Sequence, residues 1–214
     1  MLIYHHAHSE FLIETAQGFR LLTAPFDAHV GYPMRDVPCD AVTVSHGHGD
    51  HSYIDKAKCA QVIADRAGKI TLATGITATG IPCFHDDQQG ALRGNNLIFI
   101  IEVDGLRLAH FGDLGAWDED LARQLAHIDI ALVPVGGYYT MDAAAAAALM
   151  KRIQPRMVIP MHYRTDANRD WPIAPLDECL KAFGLSDIPR MPLLRVTKED
   201  LSEQPRMVIL EESV

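Results

Sequence analysis

The run Val44-Ser45-His46-Gly47-His48-Gly49-Asp50-His51 places three imidazoles and a carboxylate within six consecutive positions. Imidazole nitrogen and carboxylate oxygen suit zinc, manganese or iron better than they suit the all-oxygen cages of calcium and magnesium. Residues two apart on an extended backbone point the same way, so His46 and His48 can grip one ion together. Gly47 and Gly49 let the chain leave strand geometry. Asp50 and His51 then face a different direction and can reach a second ion. The motif is internal, punctuated by glycine and fed by an apolar stretch, which a chance histidine-rich surface loop would not require.

The elements that must position these groups are short. Strands are expected at 2–4, 11–14 and 19–23, with Gly18 in the last tight turn. Residues 41–45 form the strand that feeds the motif. Further strands are expected at 61–64, 70–73 and 81–84, the last running into His85. Residues 97–103 and 106–111 pattern as a hairpin around Asp104-Gly105, and its second arm leads to Gly112-Asp113. A continuous apolar strand at 129–135 ends at Gly136-Gly137, and another at 157–160 delivers His162. Helices are expected at 52–59, at 118–127 with Leu121 and Leu125 four apart, at 143–148 with Thr140 or Asp142 as cap, and at 176–183. The alanine-rich helix implies close packing against a sheet. Strands at 193–196 and 206–210 close the chain. Residues 29–38 carry Gly31, Pro33 and Pro38 and read as a loop, expected to lie over the site as a flap.

A meander followed by alternating strands and helices predicts two packed sheets with helices outside. Potential donors recur where apolar strands end: residues 46–51, His85, Asp113 and His162. A site built from loops at one edge of a rigid sheet core would look like this. His110 competes with His85 for the third imidazole. It has opposite parity to Asp113 along its strand and should face away, which favours His85.

The chain has 214 residues, 48% apolar and 22% charged, with a net charge of -9. That length fits one domain over 1–214, and that acidity argues against nonspecific binding to nucleic acid or anionic membranes. Cys39, Cys59, Cys83 and Cys179 form no close pair, so reduced thiols are expected. No basic start precedes an apolar signal core, and no run is long enough to span a bilayer. A cytoplasmic protein acting on a small molecule, without nucleic acid or membrane, is the expectation; a homo-oligomer is left open.

These residues resemble the metallo-β-lactamase fold superfamily. Its H-x-H-x-D-H signature is matched in full by His46, His48, Asp50 and His51, and the resemblance covers residues 2–163. His85-Asp86-Asp87, Gly90, Arg93-Gly94-Asn95, Gly112-Asp113-Leu114-Gly115 and Pro134-Val135-Gly136-Gly137 are similar to one branch, the small zinc-dependent hydrolases like L-ascorbate-6-phosphate lactonase. The resemblance implies an α+β fold, a four-layer αβ/βα sandwich with two divalent transition-metal ions between the sheets, zinc first, with manganese or iron as alternatives. It implies that His46, His48 and His85 hold one ion, that Asp50, His51 and His162 hold the other, and that Asp113 bridges them. Two cations sharing a water lower its pKa toward neutrality and polarise a substrate oxygen. Asp50 is placed to orient that water or return a proton to the leaving group.

The family usually ends the early strand with Asp-Pro, and here the pair is Ala24-Pro25; Asp27 is the candidate to supply the missing support. His8 is either a surface residue of a hairpin or a residue adjoining the site. Arg93 and Arg164 flank donors and either bind a phosphate or carboxylate or are solvated. Tyr139 follows the Gly-Gly turn and either lines the cleft or packs. The leading expectation is a hydrolase of small esters, lactones or phosphoesters. The alternatives are a noncatalytic metal-binding or sensor protein and, ranked lower, a di-iron redox protein. Redox relatives often place glutamate where this chain has His48, and they carry a flavin domain.

Overall fold

A computed structural model of the chain describes residues 1–213. Two mixed sheets face each other. In the first, the strands lie in the order Leu194–Arg195, Leu2–Ala7, Glu10–Glu14, Arg20–Thr23, Ala41–Thr43, Val62–Ala64. The early members pair antiparallel, and the last three run parallel. In the second, the order is Arg206–Met207, Met157–Met161, Ile130–Pro134, Leu106–His110, Asn95–Val103, Ile76–Phe84, Gly68–Ala73. Its first four strands are parallel, and a meander completes it.

Local chemistry explains the register. Leu2–Ala7 alternates half-buried with buried residues, so Ile3, His5 and Ala7 face inward. Asp104 and Gly105 both take positive φ, 51° and 74°, the geometry a two-residue hairpin turn needs, and they pair Val103 with Leu106. Ile130–Pro134 and Met157–Met161 are buried throughout, as expected for central parallel strands covered on both faces. Phe11, Phe99, Leu108 and Phe111 sit in the core shared by the sheets.

Three helices pack with the second sheet: Glu119–Gln124, Ala143–Ile153 and Leu176–Ala182. Asp118 and Asp142 cap the first two. The alanine-rich helix buries Ala143 and Ala146 but leaves Ala144 and Ala148 exposed, so only part of the run contacts the core. The expected helix at 52–59 is absent. One helical turn at Gly49–Ser52 gives way to a 3-10 turn at Ile54–Lys56, and Ala57–Lys58 then pairs with Val37–Pro38. The segment is held by partners outside it: the Tyr53 N–H goes to the Pro25 carbonyl at 2.8 Å, and Lys56 turns inward to Glu10 at 2.8 Å and lies 3.6 Å from the Phe26 ring centroid. The segment at 29–38 is not a free flap. Val30 is buried, and Tyr32 Oη bonds Thr165 and donates to Glu212 at 2.7 Å. Among the described residues, no helix is long and apolar enough to cross a membrane.

The edge where donors gather is supported by two uncharged imidazoles. His5 donates Nε2–H to the His8 carbonyl at 3.1 Å and stacks on Phe11. His110 donates Nε2–H to the Ser9 carbonyl at 2.8 Å, and its Nδ1 accepts from the Gly112 N–H at 3.2 Å. Burial lowers both pKa values to about 4. An imidazole that titrates near 6.5 when unfolded and near 4 when folded adds stability above pH 6.5, and that stability is lost as pH falls toward 4. The metal-free protein should therefore lose urea resistance steeply from pH 6.5 to 4, and His110→Gln should flatten that decline. An equally steep decline in the variant would contradict this assignment.

Candidate metal centre

Each donor leaves the C-terminal end of a strand. His8 follows Leu2–Ala7, His46 follows Ala41–Thr43, His85 follows Ile76–Phe84, Asp113 follows Leu106–His110, and His162 follows Met157–Met161. Two glycines let these ends crowd together. A Cβ on Gly115 would lie 2.3 Å from the Asp86 nitrogen and 2.5 Å from the His85 carbonyl carbon. On Gly136 it would lie 2.2 Å from the His162 oxygen. Asn96 fixes the Asp113 turn: its amide donates to the Phe111 carbonyl at 2.9 Å and accepts from the Asp113 N–H at 3.0 Å.

Asp113 is the hub. Its Oδ1 lies 2.9 Å from His51 Nε2, and its Oδ2 lies 3.1 Å from His85, 3.4 Å from His162 and 3.8 Å from His46, each at Nε2. Three overlapping groups have donor atoms within 4.8 Å of one another: His46, His48 and His85; His46, His51 and Asp113; and His8, Asp50, His51 and His162. His46 Nε2, His51 Nε2, His162 Nε2 and Asp113 Oδ1 are buried without a hydrogen-bond partner of good geometry. Buried polar atoms left unpaired cost about 1–3 kcal/mol each. Their convergence, with imidazole and carboxylate as the only donor types, fits transition-metal ions.

For three of the imidazoles the opposite ring nitrogen is held in the way such ligands require, while His162 Nδ1 is buried without a partner. His85 donates Nδ1–H to the Tyr139 carbonyl at 3.1 Å. Ser45 Oγ faces His46 Nδ1 at 3.0 Å and His51 Nδ1 at 3.4 Å. Both turn Nε2 toward Asp113. His110 has both nitrogens committed elsewhere, so it is not a donor here, in keeping with its strand parity.

Charge and burial compete at every group. Burial, then the His51 imidazole, lowers the His46 pKa to about 3. Burial opposes ionisation of Asp113, yet His162 and His51 hold its carboxyl well below the usual carboxylate range. Asp50 shows the same balance: burial raises its pKa, and His51 with the His8 hydrogen bond brings it below the ordinary value. Burial pushes His85 and His162 down, but the Asp113 carboxylate outweighs it and raises both. A cation here competes with those protons, so metal uptake should weaken as pH falls.

A family model described as a beta-lactamase superfamily domain matches residues 2–162. A metal-dependent hydrolase from Thermococcus kodakarensis is 30% identical over 77% of this chain and 83% of its own. The chain belongs to the metallo-β-lactamase superfamily. A metal-dependent hydrolase from Methanosphaerula palustris is 32% identical over 77% of the chain and 82% of its own. A crystallised zinc-dependent hydrolase of the superfamily from Thermotoga maritima aligns with a TM-score of 0.79 at 29% identity, covering 98% of this chain and 97% of that one. A metallo hydrolase from Ignicoccus hospitalis shares the fold, with a TM-score of 0.68 at 21% identity over 92% and 99% of the two chains. The α+β metallo-β-lactamase sandwich expected from the sequence is the fold observed.

The weaker expectations separate in this superfamily member. His8 is no surface residue: it is 2% exposed, and its Nε2 lies 3.3 Å from Asp50 Oδ2. Asp27 supports the histidine loop. Its N–H donates to the Gly49 carbonyl at 2.9 Å, and its carboxylate lies where a Gly49 Cβ would stand. Tyr139 contributes its carbonyl to His85, and its ring lies 5.9 Å from Trp171. Arg93 stands near Tyr138 and Tyr139. Arg164 is exposed, and its contact is a backbone N–H to the Ala174 carbonyl. Sequence reasoning missed Ser45, Asn96 and Trp171. Only Ser45 carried a signal, by adjoining the motif.

His8 adjoins the Asp50 side of the centre, so His8→Phe, which keeps a ring but loses the bond to Asp50, should weaken metal affinity about tenfold. Chelator competition measures it. Wild-type affinity in the variant would show that His8 only fills space.

Proposed function

We propose that this chain is a dinuclear metal-dependent hydrolase acting on a small ester, lactone or phosphoester, with 1–214 forming one catalytic domain. His46, His48 and His85 would hold one ion, Asp50, His51 and His162 the other, and Asp113 both. The observation that carries this reading is the convergence of four imidazoles from three strand ends on the Asp113 carboxylate, with the Nε2 atoms of His46, His51 and His162 otherwise unpaired. Zinc is the proposed ion, and the same donors accept manganese or iron. Relatives named metal-dependent hydrolases support the reaction class. The resemblance of 85–95 to the ascorbate-phosphate lactonase branch is the reason to include lactones.

Divalent ions held by these residues would supply Lewis acidity, lowering the pKa of a bound water and polarising a substrate oxygen. The protein supplies placement. Ser45 and the Tyr139 carbonyl set the imidazole orientations. Asp50, half-buried and bonded to His8, is the catalytic carboxylate, positioned to orient the attacking water and return its proton to the leaving oxygen.

The test is hydrolysis of 4-nitrophenyl acetate, bis(4-nitrophenyl) phosphate and simple lactones with zinc or manganese. Chelator-sensitive turnover is expected on at least one class, and Asp50→Asn should lower kcat about 10²–10⁴-fold. Full metal content without turnover on any class would favour the noncatalytic reading.

A further inference from the structure

The mouth of the centre carries an arc of side chains that metal binding does not use. At one end stands Arg93. Its neighbour Gly94 accepts the His85 N–H at 3.0 Å, so the arginine sits beside the His85 end of the centre. Its guanidinium carbon lies 5.8 Å from the Tyr139 ring centroid and 6.0 Å from that of Tyr138. Among the described residues, that guanidinium meets these aromatic faces and no carboxylate. Tyr139 stands in the middle, tied to His85 through its carbonyl. At the other end, Trp171 lies edge-on to Tyr139 at 5.9 Å and to His8 at 5.3 Å, and 6.4 Å from His162. The arc therefore spans both halves of the metal centre, cationic over one and aromatic over the other.

Two features show that the arc is built in advance. Asp86 accepts four backbone N–H groups, from Gln88, Gly90, Leu92 and Arg93, at 2.7–3.0 Å. That collar fixes the Arg93 backbone, so the position from which the guanidinium is presented is set in advance. Tyr138 holds φ at 58°, a left-handed geometry rare for a bulky residue, yet is 63% exposed. That backbone geometry turns the Tyr138 ring out toward solvent at the edge of the arc.

We propose that the substrate of this hydrolase carries an anionic group on one side of the scissile bond, received by Arg93, and a flat apolar or aromatic group on the other, received by Tyr139 and Trp171. Guanidinium groups favour carboxylate and phosphate oxygens, and half-buried aromatic rings receive flat apolar groups by offset or edge-on contact. This assignment rests on the proposed hydrolase reading and narrows its substrate class.

The test reads binding rather than turnover. The metal-loaded protein is titrated with 3-phenylpropanoate and with 3-phenylpropan-1-ol, followed by tryptophan emission, with Trp171→Phe identifying the responding residue. The anion should bind about tenfold tighter than the alcohol, as expected for a charge-assisted contact. Arg93→Gln should abolish that preference, and Arg93→Lys should restore part of it. A preference that survives in Arg93→Gln, or a wild-type protein with no preference or no saturable binding, would overturn the proposal. Absence of hydrolysis across the ester and lactone panel would instead overturn the proposed function and leave an observed anion preference standing.

Discussion

The structure turns on one buried carboxylate. Asp113 lies within 4 Å of four imidazoles that come from three other strand ends. Imidazoles this close repel one another when protonated, and burial penalises charge on any of them. The cluster is tolerable only with a shared negative centre, and Asp113 provides it. Two rings gain a raised affinity for protons from that carboxylate while His46 is driven neutral. The buried atoms left unpaired in that cluster are the ones that cations with the right donor preference would satisfy.

The rest of the fold answers to that demand. Distant strand ends must approach to van der Waals limits, hence Gly115 against the His85–Asp86 backbone and Gly136 against His162. The support is layered. Ser45, Asn96 and the Tyr139 carbonyl set the donors, while His5 and His110 brace the sheet edge beneath as neutral hydrogen-bonding rings. Ala24, where the family resemblance led to an expectation of aspartate, is buried, and Asp27 three residues later bonds the histidine loop through its N–H to the Gly49 carbonyl.

What the sequence made legible follows the range of the interactions. The motif at 46–51 and the Asp104-Gly105 hairpin are local, so spacing and turn chemistry were sufficient. His85, Asp113 and His162 were legible through strand-end placement joined to a family resemblance, and strand parity separated His85 from His110. The expected helix at 52–59 failed because its backbone and side chains are taken by partners remote in sequence, the Tyr53 N–H by Pro25 and Lys56 by Glu10 and Phe26. Asn96 and Trp171 were silent for the same reason: their partners are remote, and neither residue type announces its role. The position of His8 was open in the sequence because a histidine after a strand is equally at home on a surface, and only the packing of the two sheets turns it toward Asp50.

The most direct test is a zinc titration of the metal-free protein, read by bound metal and thermal unfolding together. The account predicts two equivalents bound per chain with a rise in melting temperature, and loss of both the second equivalent and most of that rise in Asp113→Ala. Two zinc ions held by Asp113→Ala with wild-type affinity and stabilisation would contradict it.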